Sequence, residues 1–312
     1  MRFRHILEAD TRLRKNNLLD EIKSVLEHKF DSDFIEDFTN KIFEDDDFDP
    51  FSHLIGSDRI DPKEECVLTI SKPNAKLKGI NAPSFSLPAG YTCPMADVCK
   101  SMAHRKGKAF KDGKKIKDHG DIRCYAASTE VQYKAVRDNR WRNHDLLKDM
   151  GSPEKMSDLI LRSLKYYETQ NGKISTFRIH DSGDFYSQDY FDAWLLAAKQ
   201  RTDIHFYAYT KSISFWKARK KSIPKNLNLI ASEGGKEDDL MNKEKFRKST
   251  IVKSVGDAKD KKLPIDVDDS LAAYGDSDTA LLVHGTQKAG SDYGKHSREN
   301  AKLLKDLKKK NK

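Results

Sequence analysis

The sequence has no long hydrophobic run and few cysteines, and both absences exclude whole classes of protein. No stretch of the 312 residues approaches the run of about 18 apolar residues that a transmembrane helix needs. Residues 1–8 have neither the apolar run nor the small-residue cleavage site of a signal peptide. Four cysteines in a chain of this length also exclude a small disulfide-stapled scaffold. We therefore expect a soluble cytoplasmic protein that has no membrane partner.

Hydrophobic residues are scarce and charged residues are plentiful. They make up 37% and 34% of the chain, and 58 Lys and Arg against 49 Asp and Glu give a net charge of +9. A packed core is still expected, because 15 Phe, 11 Tyr and 3 Trp each bury a large area. Neither glycine-rich phosphate motif, the P-loop nor GxGxxG, is present, so a nucleotide site of those kinds has no support.

Composition divides the chain into three parts. Residues 1–60 predict a helical, acidic N-terminal extension, residues 61–293 a cysteine-cluster α/β domain, and residues 294–312 a basic tail. Residues 31–61, at the end of the extension, include eleven acidic residues and two basic ones. It is interpreted either as a solvated linker or as a docking segment for a basic protein partner.

Apolar strands alternate with helical segments in the second half of the chain. Strands are predicted over residues 174–179, 204–209, 227–231, 250–253 and 279–284, and helices over 126–148, 153–169, 188–199 and 212–220. This alternation is typical of a parallel sheet with crossover helices. Because there are too few units for a closed eight-stranded barrel, the predicted fold class is α/β with a partial or open TIM-like barrel. The stretch 81–122 is irregular, and so long a loop is usually functional or disordered.

Three of the four cysteines lie in or beside that irregular stretch. Five residues separate Cys93 from Cys99, and Cys124 follows after 24 more. Cys66 lies in a β-like run over residues 66–70, where a cysteine is expected to be a small buried hydrophobe. In a reducing compartment, a cluster such as the other three more often binds a metal than forms disulfides.

Thiolate sulfur is the preferred ligand of zinc and of iron–sulfur clusters, and the spacing leaves both open. Three thiolates leave one iron of a 4Fe–4S cube without a protein ligand, which is the arrangement needed to bind a small molecule at that iron. Zinc is the alternative metal, with a fourth ligand from His104, His119 or Cys66. The remaining interpretation is three unrelated buried cysteines.

Polar side chains follow the predicted strands, at the end where parallel α/β folds build their sites. After the first strand they are His180, Asp181, Ser182, Gly183 and Asp184, and after the later strands Tyr209, Lys211, Glu233 and His284. We expect these groups to form the rim of one pocket, with His180 and Asp184 in functional roles. The alternatives are ordinary loops and, for Asp184 and Ser187, capping of the next helix.

The segment 100–123, between the second and third cysteines of the cluster, is strongly basic. It holds nine Lys and Arg residues against three Asp residues. Such a loop either tracks a nucleic-acid backbone, together with the basic tail, or is a mobile solvated loop.

Five short motifs give the chain a resemblance to a known family. They are residues 85–94 with Thr92-Cys93-Pro94 at their end and Cys99 after them, Cys124-Tyr125-Ala126, residues 178–185, residues 209–212, and Val283-His284-Gly285. Over residues 65–295 the chain resembles the phage gene product 88 family, whose members are similar to radical S-adenosylmethionine proteins. Two departures stand out: Cys124 lies far downstream of the usual C-x3-C-x2-C loop, and Ser182-Gly183-Asp184 stands where a Gly-Gly-Glu segment is usual.

The resemblance implies a phage iron–sulfur protein in the cytoplasm of the infected host cell, and association with the virion stays open. Cys93, Cys99 and Cys124 would hold a 4Fe–4S cluster with one open iron at the barrel mouth, and S-adenosylmethionine is a candidate second cofactor. His180, Asp184 and Lys211 are the candidate catalytic residues. The candidate cofactor-binding residues are Ser182, Gly183, Tyr209, Glu233 and His284. The alternative function is a nucleic-acid-binding phage protein with a purely structural zinc or iron–sulfur site.

Overall fold

The structure is a computed structural model that describes residues 67–118 and 121–310. The predicted extension over residues 1–60, Cys66 and the alternative zinc ligand His119 therefore lie outside the described residues.

In the described part of the chain, nine strands form one large sheet and one small ribbon. They are β1 (Ile70–Ser71), β2 (Ser84–Ser86), β3 (Ser101–Ala103), β4 (Ile116–Asp118), β5 (Thr176–Ser182), β6 (His205–Thr210), β7 (Leu227–Ser232), β8 (Lys248–Val252) and β9 (Thr279–Leu282). The large sheet has the order β1-β2-β5-β6-β7-β8-β9, while β3 and β4 pair with each other. Only β1 runs antiparallel to its neighbour in the large sheet; the other pairs are parallel. The predicted parallel sheet is confirmed, and within the described residues neither sheet closes into a barrel.

Nine helices connect or flank these strands in the described part of the chain. They are α1 (Tyr125–Gln132), α2 (Lys134–Met150), α3 (Pro153–Asn171), α4 (Gln188–Gln200), α5 (Ile213–Ala218), α6 (Asp238–Glu244), α7 (Val255–Asp260), α8 (Ser270–Tyr274) and α9 (Asp292–Lys310). Over the same residues, no helix combines the length and the apolar character that crossing a membrane requires.

Two of the predicted elements differ from the structure. The single helix predicted over 126–148 is wrong, because Tyr133 is extended and separates α1 from α2. The break lets the guanidinium of Arg137 donate to the carbonyl of Glu130, at 2.8 Å. The strand predicted over 66–70 reduces to β1, since the backbone N–H groups of Leu68 and Thr69 donate to side chains of α3 and α2 instead of a neighbouring strand.

Helices α3 and α4 cover one face of the large sheet, which we call its outer face. This face carries the largest apolar cluster of the described residues, and Trp194 of α4 is buried there. Its ring centroid lies 6.0 Å from that of Phe85, 5.8 Å from Phe177 and 6.1 Å from Phe206. These rings come from β2, β5 and β6, so one side chain joins three strands to the covering helix.

The opposite face of the large sheet, its inner face, is partly polar. A buried carboxylate there accepts hydrogen bonds from the surrounding polar side chains. Asp269, just before α8, accepts hydrogen bonds from the Arg178 guanidinium at 2.8 Å and from the Tyr207 hydroxyl at 3.1 Å. The Lys76 ammonium lies 2.5 Å from its other oxygen. Burial opposes ionisation of Asp269, but Arg178 and Lys76 outweigh it and lower its pKa to about 2.

A register shift in β5 adds a second carboxylate to this face. Ser84 and Ser86 of β2 pair with Arg178 and Ser182, so two extra residues of β5 bulge between the pairs. In a regular strand, residues three apart point to opposite faces. Here the Arg178 guanidinium lies 3.3 Å from the Asp181 carboxylate, because the bulge returns Asp181 to the same side.

We expect Asp269→Asn to lower the free energy of unfolding at pH 7 by about 3 kcal/mol, because it leaves the buried charge of Arg178 without its counter-ion. A carboxylate whose pKa is lower in the folded state stabilises the fold above about pH 4 and loses that contribution as the pH falls towards 2. Urea unfolding at pH 7 and pH 3 should therefore show a smaller acid destabilisation in the variant than in the wild type.

The control is Asp203→Asn, which removes an exposed partner of Arg201. An exposed ion pair contributes under about 1 kcal/mol. Equal losses for the two variants would contradict the assigned role of Asp269.

Candidate cysteine site at the carboxyl ends of the strands

Three thiols lie close together beyond the ends of β2 and β5. Burial raises the pKa of Cys93 well above its ordinary value, and the nearby charges of Asp184, Cys124 and Cys99 raise it further. Burial raises the pKa of Cys124 to about 11, with Cys99 as the next largest cause. The folded chain thus brings together the three cysteines that the sequence singled out.

The loop that carries Cys93 is hydrogen-bonded to the sheet and to α1. Leu87 donates its backbone N–H to the Ser182 carbonyl, and the Ser182 hydroxyl donates to the Leu87 carbonyl, both at 2.9 Å. The N–H of Ala89 donates to the Glu130 carboxylate at 2.8 Å. These bonds fix Leu87 and Ala89, at the start of the loop that leads to Cys93.

Glu130 is a buried carboxylate that also holds α2. The Arg140 guanidinium donates to it at 2.8 Å and to the Ala126 carbonyl at 3.0 Å. Burial raises the pKa of Glu130, and Arg140 and the N–H of Ala89 oppose that rise. One carboxylate therefore joins the cysteine loop, α1 and α2.

Gly90 allows this loop to approach β3 closely. Its φ is +68°, and a Cβ there would lie 2.1 Å from the backbone carbonyl oxygen of Ser101. The Gly90 N–H also donates to the Cys93 thiol, which lowers the pKa of that thiol against the effect of burial. Any larger residue would have to move the loop away from β3.

Cys124 lies at the N-cap of α1. The backbone N–H groups of Ala126 and Ala127 lower the pKa of its thiol against the effect of burial, and its own N–H donates to the Ser101 hydroxyl at 3.1 Å. The N-terminus of a helix favours negative charge, so this position suits a thiolate ligand.

Asp184 is buried beside Cys93 and is held by three donors. The Thr210 hydroxyl donates to it at 2.6 Å, the Lys211 N–H at 2.8 Å and the Phe185 N–H at 2.7 Å. Burial raises its pKa to about 6, although these hydrogen bonds oppose the rise. The N-cap of α4 is Ser187, whose hydroxyl accepts from the backbone at 3.2 Å, so the capping alternative fits Ser187 and does not fit Asp184.

Lys211 ties the end of β6 to the end of β7. Its ammonium donates to the carbonyl and hydroxyl of Ser232, at 2.9 and 3.0 Å, and to the Glu233 carbonyl at 2.5 Å. The Glu233 carboxylate turns towards Lys248, 3.5 Å away. The next residue, Gly234, accepts the N–H of Val98 at 3.2 Å, which links this rim to the segment between Cys93 and Cys99.

The two candidate histidines lie in different surroundings. The ring of His180 packs among Phe85, Phe185 and Tyr190, and burial, aided by Arg178, lowers its pKa to about 3. The ring of His284 lies 5.2 Å from that of Tyr125, next to Cys124. His284 is therefore near the cysteines, whereas the ring contacts of His180 are with aromatic core residues.

The remaining candidates also have defined places. Gly183 has a φ of +86°, and a Cβ there would lie 2.6 Å from the Thr92 hydroxyl oxygen, so it packs against the cysteine loop. The Tyr209 hydroxyl lies 3.3 Å from both Asp266 and Asp269, in the inner-face network. The alternative zinc ligand His104 packs against Phe110, with ring centroids 5.2 Å apart.

Sequence reasoning missed part of the inner-face network. Four of its members were not singled out: Lys76, Tyr207, Asp266 and Asp269. Tyr125, Arg178 and Asp181 were named, but not as members of a buried network. The signal that was available is Arg178, a charged residue between Phe177 and Ile179 in an apolar strand, because a buried arginine requires a buried carboxylate.

Within the described part of the chain, no three His, Cys, Asp or Glu side chains are placed to hold one metal ion. By the chemistry of the donor set, neighbouring thiols are ligands of the kind that iron–sulfur clusters use.

Comparison with known proteins gives one family and two relatives. The family model described as Gene product 88 matches residues 65–305. The Gene 88 proteins of Mycobacterium phage L5 and Mycobacterium phage D29 are each 32% identical to the chain, over 91 and 90 residues. Each alignment covers 28% of this chain and 38% of the relative, so the chain spans well under half the length of these relatives. No solved structure matches.

We expect Gly90→Ala to lower the free energy of unfolding by about 3 kcal/mol, since it adds a clash with β3 to the strain of a positive φ. Gly113→Ala is the matched control, because Gly113 has a φ of +78° but open space around it. The control should lose only about 1 kcal/mol.

Urea unfolding measures the loss of stability in both variants. The rate at which the thiols react with an aromatic disulfide measures how accessible the loop leaves them. The thiols should react faster in Gly90→Ala only. If Gly90→Ala and Gly113→Ala lost equal stability and their thiols reacted at equal rates, the close approach of the loop to β3 would not position Cys93.

Proposed function

The chain belongs to the gene product 88 family, and we propose that it holds a 4Fe–4S cluster through Cys93, Cys99 and Cys124 in the manner of radical S-adenosylmethionine proteins. The observation that carries the proposal is the proximity of the three partly buried thiols, each close enough to another to raise a thiol pKa. They lie beyond the carboxyl ends of parallel strands, where α/β folds build their sites.

The surroundings of the thiols support cluster ligation. Backbone N–H groups near two of the sulfurs, those of Gly90, Ala126 and Ala127, lower the pKa of these thiols against the effect of burial. Hydrogen bonds to ligand sulfurs stabilise a cluster and tune its potential. The loop of Cys93 is fixed by Glu130 and Ser182, so these sulfurs would not have to be ordered by the cluster itself.

Three protein ligands leave one iron open, and this carries the enzymatic part of the proposal. When bound, the cluster would supply one electron to a small molecule held at that iron, with S-adenosylmethionine as the candidate. The chain would supply orientation and a site from which water is excluded.

The contacts favour positioning roles for two of the three candidate catalytic residues. Lys211 binds the Ser232–Glu233 turn, and Asp184 binds the start of the turn after β6. Both therefore set the shape of the rim next to Cys93. His180 would act through the packing of Phe185, the residue that follows Asp184.

Metal analysis of protein purified without oxygen tests the proposal. We expect a brown protein with about four iron and four sulfide per chain, and an EPR signal after reduction. A colourless protein with stoichiometric zinc would rule the cluster out.

Reductive cleavage of S-adenosylmethionine is then measured on the same preparation. Cleavage of S-adenosylmethionine supports the enzymatic part of the proposal. An intact cluster without cleavage, together with nucleic-acid binding that weakens steeply with salt, would favour the alternative of a nucleic-acid-binding protein with a structural metal.

Cysteine variants test the ligand set. Cys93→Ala, Cys99→Ala and Cys124→Ala should each abolish stable cluster absorbance, because each removes one of three protein ligands. Cys66→Ala is the control and should keep the absorbance. If Cys66→Ala bleaches the protein as fully as Cys93→Ala does, a fourth thiolate fills the cluster and the open-iron mechanism fails.

A further inference from the structure

An open groove of about 500 Å³ lies between α2 and the loop that follows β3. Its cationic lining residues are Arg105, Lys106, Lys134, Arg137 and Arg142, and three carboxylates accompany them. The loop beyond the groove adds exposed lysines at positions 108, 111, 114 and 115. The cations of the groove thus continue along a basic surface that extends well past its rim.

Aromatic rings pack against one another at the base of this groove, where Trp141 lines it, and next to that base. Trp141 of α2 is only 7% exposed, and the Arg105 guanidinium lies 4.5 Å above its ring centroid. Tyr91 is 55% exposed, and its ring centroid lies 4.6 Å from that of Trp141 and 5.5 Å from that of His144. The contacts with Trp141 and His144 therefore fix the ring of Tyr91, while much of its surface faces solvent.

A held, exposed ring beside a row of cations is the combination that binds single-stranded nucleic acid. Bases stack on the ring, and the cations track the phosphates, without dependence on sequence. A double helix keeps its bases stacked on each other, so it offers no base face to such a ring. An acidic peptide would use the cations but would leave the ring without a partner.

We propose that this groove binds single-stranded nucleic acid, with one base stacked on Tyr91 and the backbone along Arg105 and Lys106. Tyr91 lies two residues before Cys93, so the strand would run beside the cysteine site. The proposal does not depend on the cluster, and it assigns a surface that the cysteine site does not use.

The test is fluorescence anisotropy of the full-length protein with labelled 20-residue oligonucleotides of dT and of U, and with a duplex of the same length. Tyr91→Ala should raise Kd about tenfold, as expected for the loss of one base–aromatic stack. Tyr91→Phe should bind as the wild type does. Tyr274→Ala is the matched control, since Tyr274 is equally exposed at 57% but lies against Thr176 and His205, at the start of β5 and β6.

The contribution of the cations is read from the salt dependence. Lys106→Gln should reduce the slope of log K against log salt by about 0.7, the value for one phosphate contact on a single strand. Lys225→Gln, which removes an exposed lysine just before β7, should leave the slope unchanged.

Three results would overturn the proposal. They are equal effects of Tyr91→Ala and Tyr274→Ala, tighter binding to the duplex than to both single strands, and equally tight binding to polyglutamate. Each variant is checked for iron content and thermal unfolding, so that a failure of the groove is separated from a failure of the cluster.

Discussion

The candidate site depends on one buried carboxylate. Glu130 is 1% exposed and accepts hydrogen bonds from the loop that carries Cys93 and from Arg140 of α2. Arg140 in turn donates to a carbonyl of α1, the helix that begins directly after Cys124. Breaking a buried pair of this kind typically costs about 3–5 kcal/mol, because the remaining charge stays buried. The placement of two of the three thiols thus rests on a single ion pair that contains no sulfur.

The apolar pattern was sufficient to predict five of the seven strands that the described residues place in the large sheet. All five strands predicted beyond residue 170 are present, and their ends differ from the prediction by three residues at most. Most residues of β5, β6 and β7 are buried, as in other parallel sheets that are covered on both faces. The pairing of Ser152 with Pro153 also predicted the start of α3 correctly, and the Ser152 hydroxyl accepts the N–H of Lys155 at 3.4 Å.

Contacts between distant residues could not be predicted in the same way. Arg178 and Asp269 are 91 residues apart, and no local pattern announces their pairing. The break at Tyr133 likewise depends on arginines that reach back to α1, so helical periodicity alone missed it. The proximity of the cysteines was predictable because they lie within 32 positions in a polar stretch. By contrast, two of the three donors to Asp184 come from the end of another strand.

The two edges of the large sheet have a consequence for self-association. At one edge, β1 has only two residues. At the other, the backbone of Ala280 in β9 accepts the N–H of Asp266 at 2.9 Å and donates to the carbonyl of Pro264 at 2.8 Å. Unpaired edge strands are templates on which further chains add and aggregate, and proteins avoid this with very short or covered edges. Within the described residues, this sheet uses both devices, so a concentrated solution of the protein has little edge from which β-type polymers could grow.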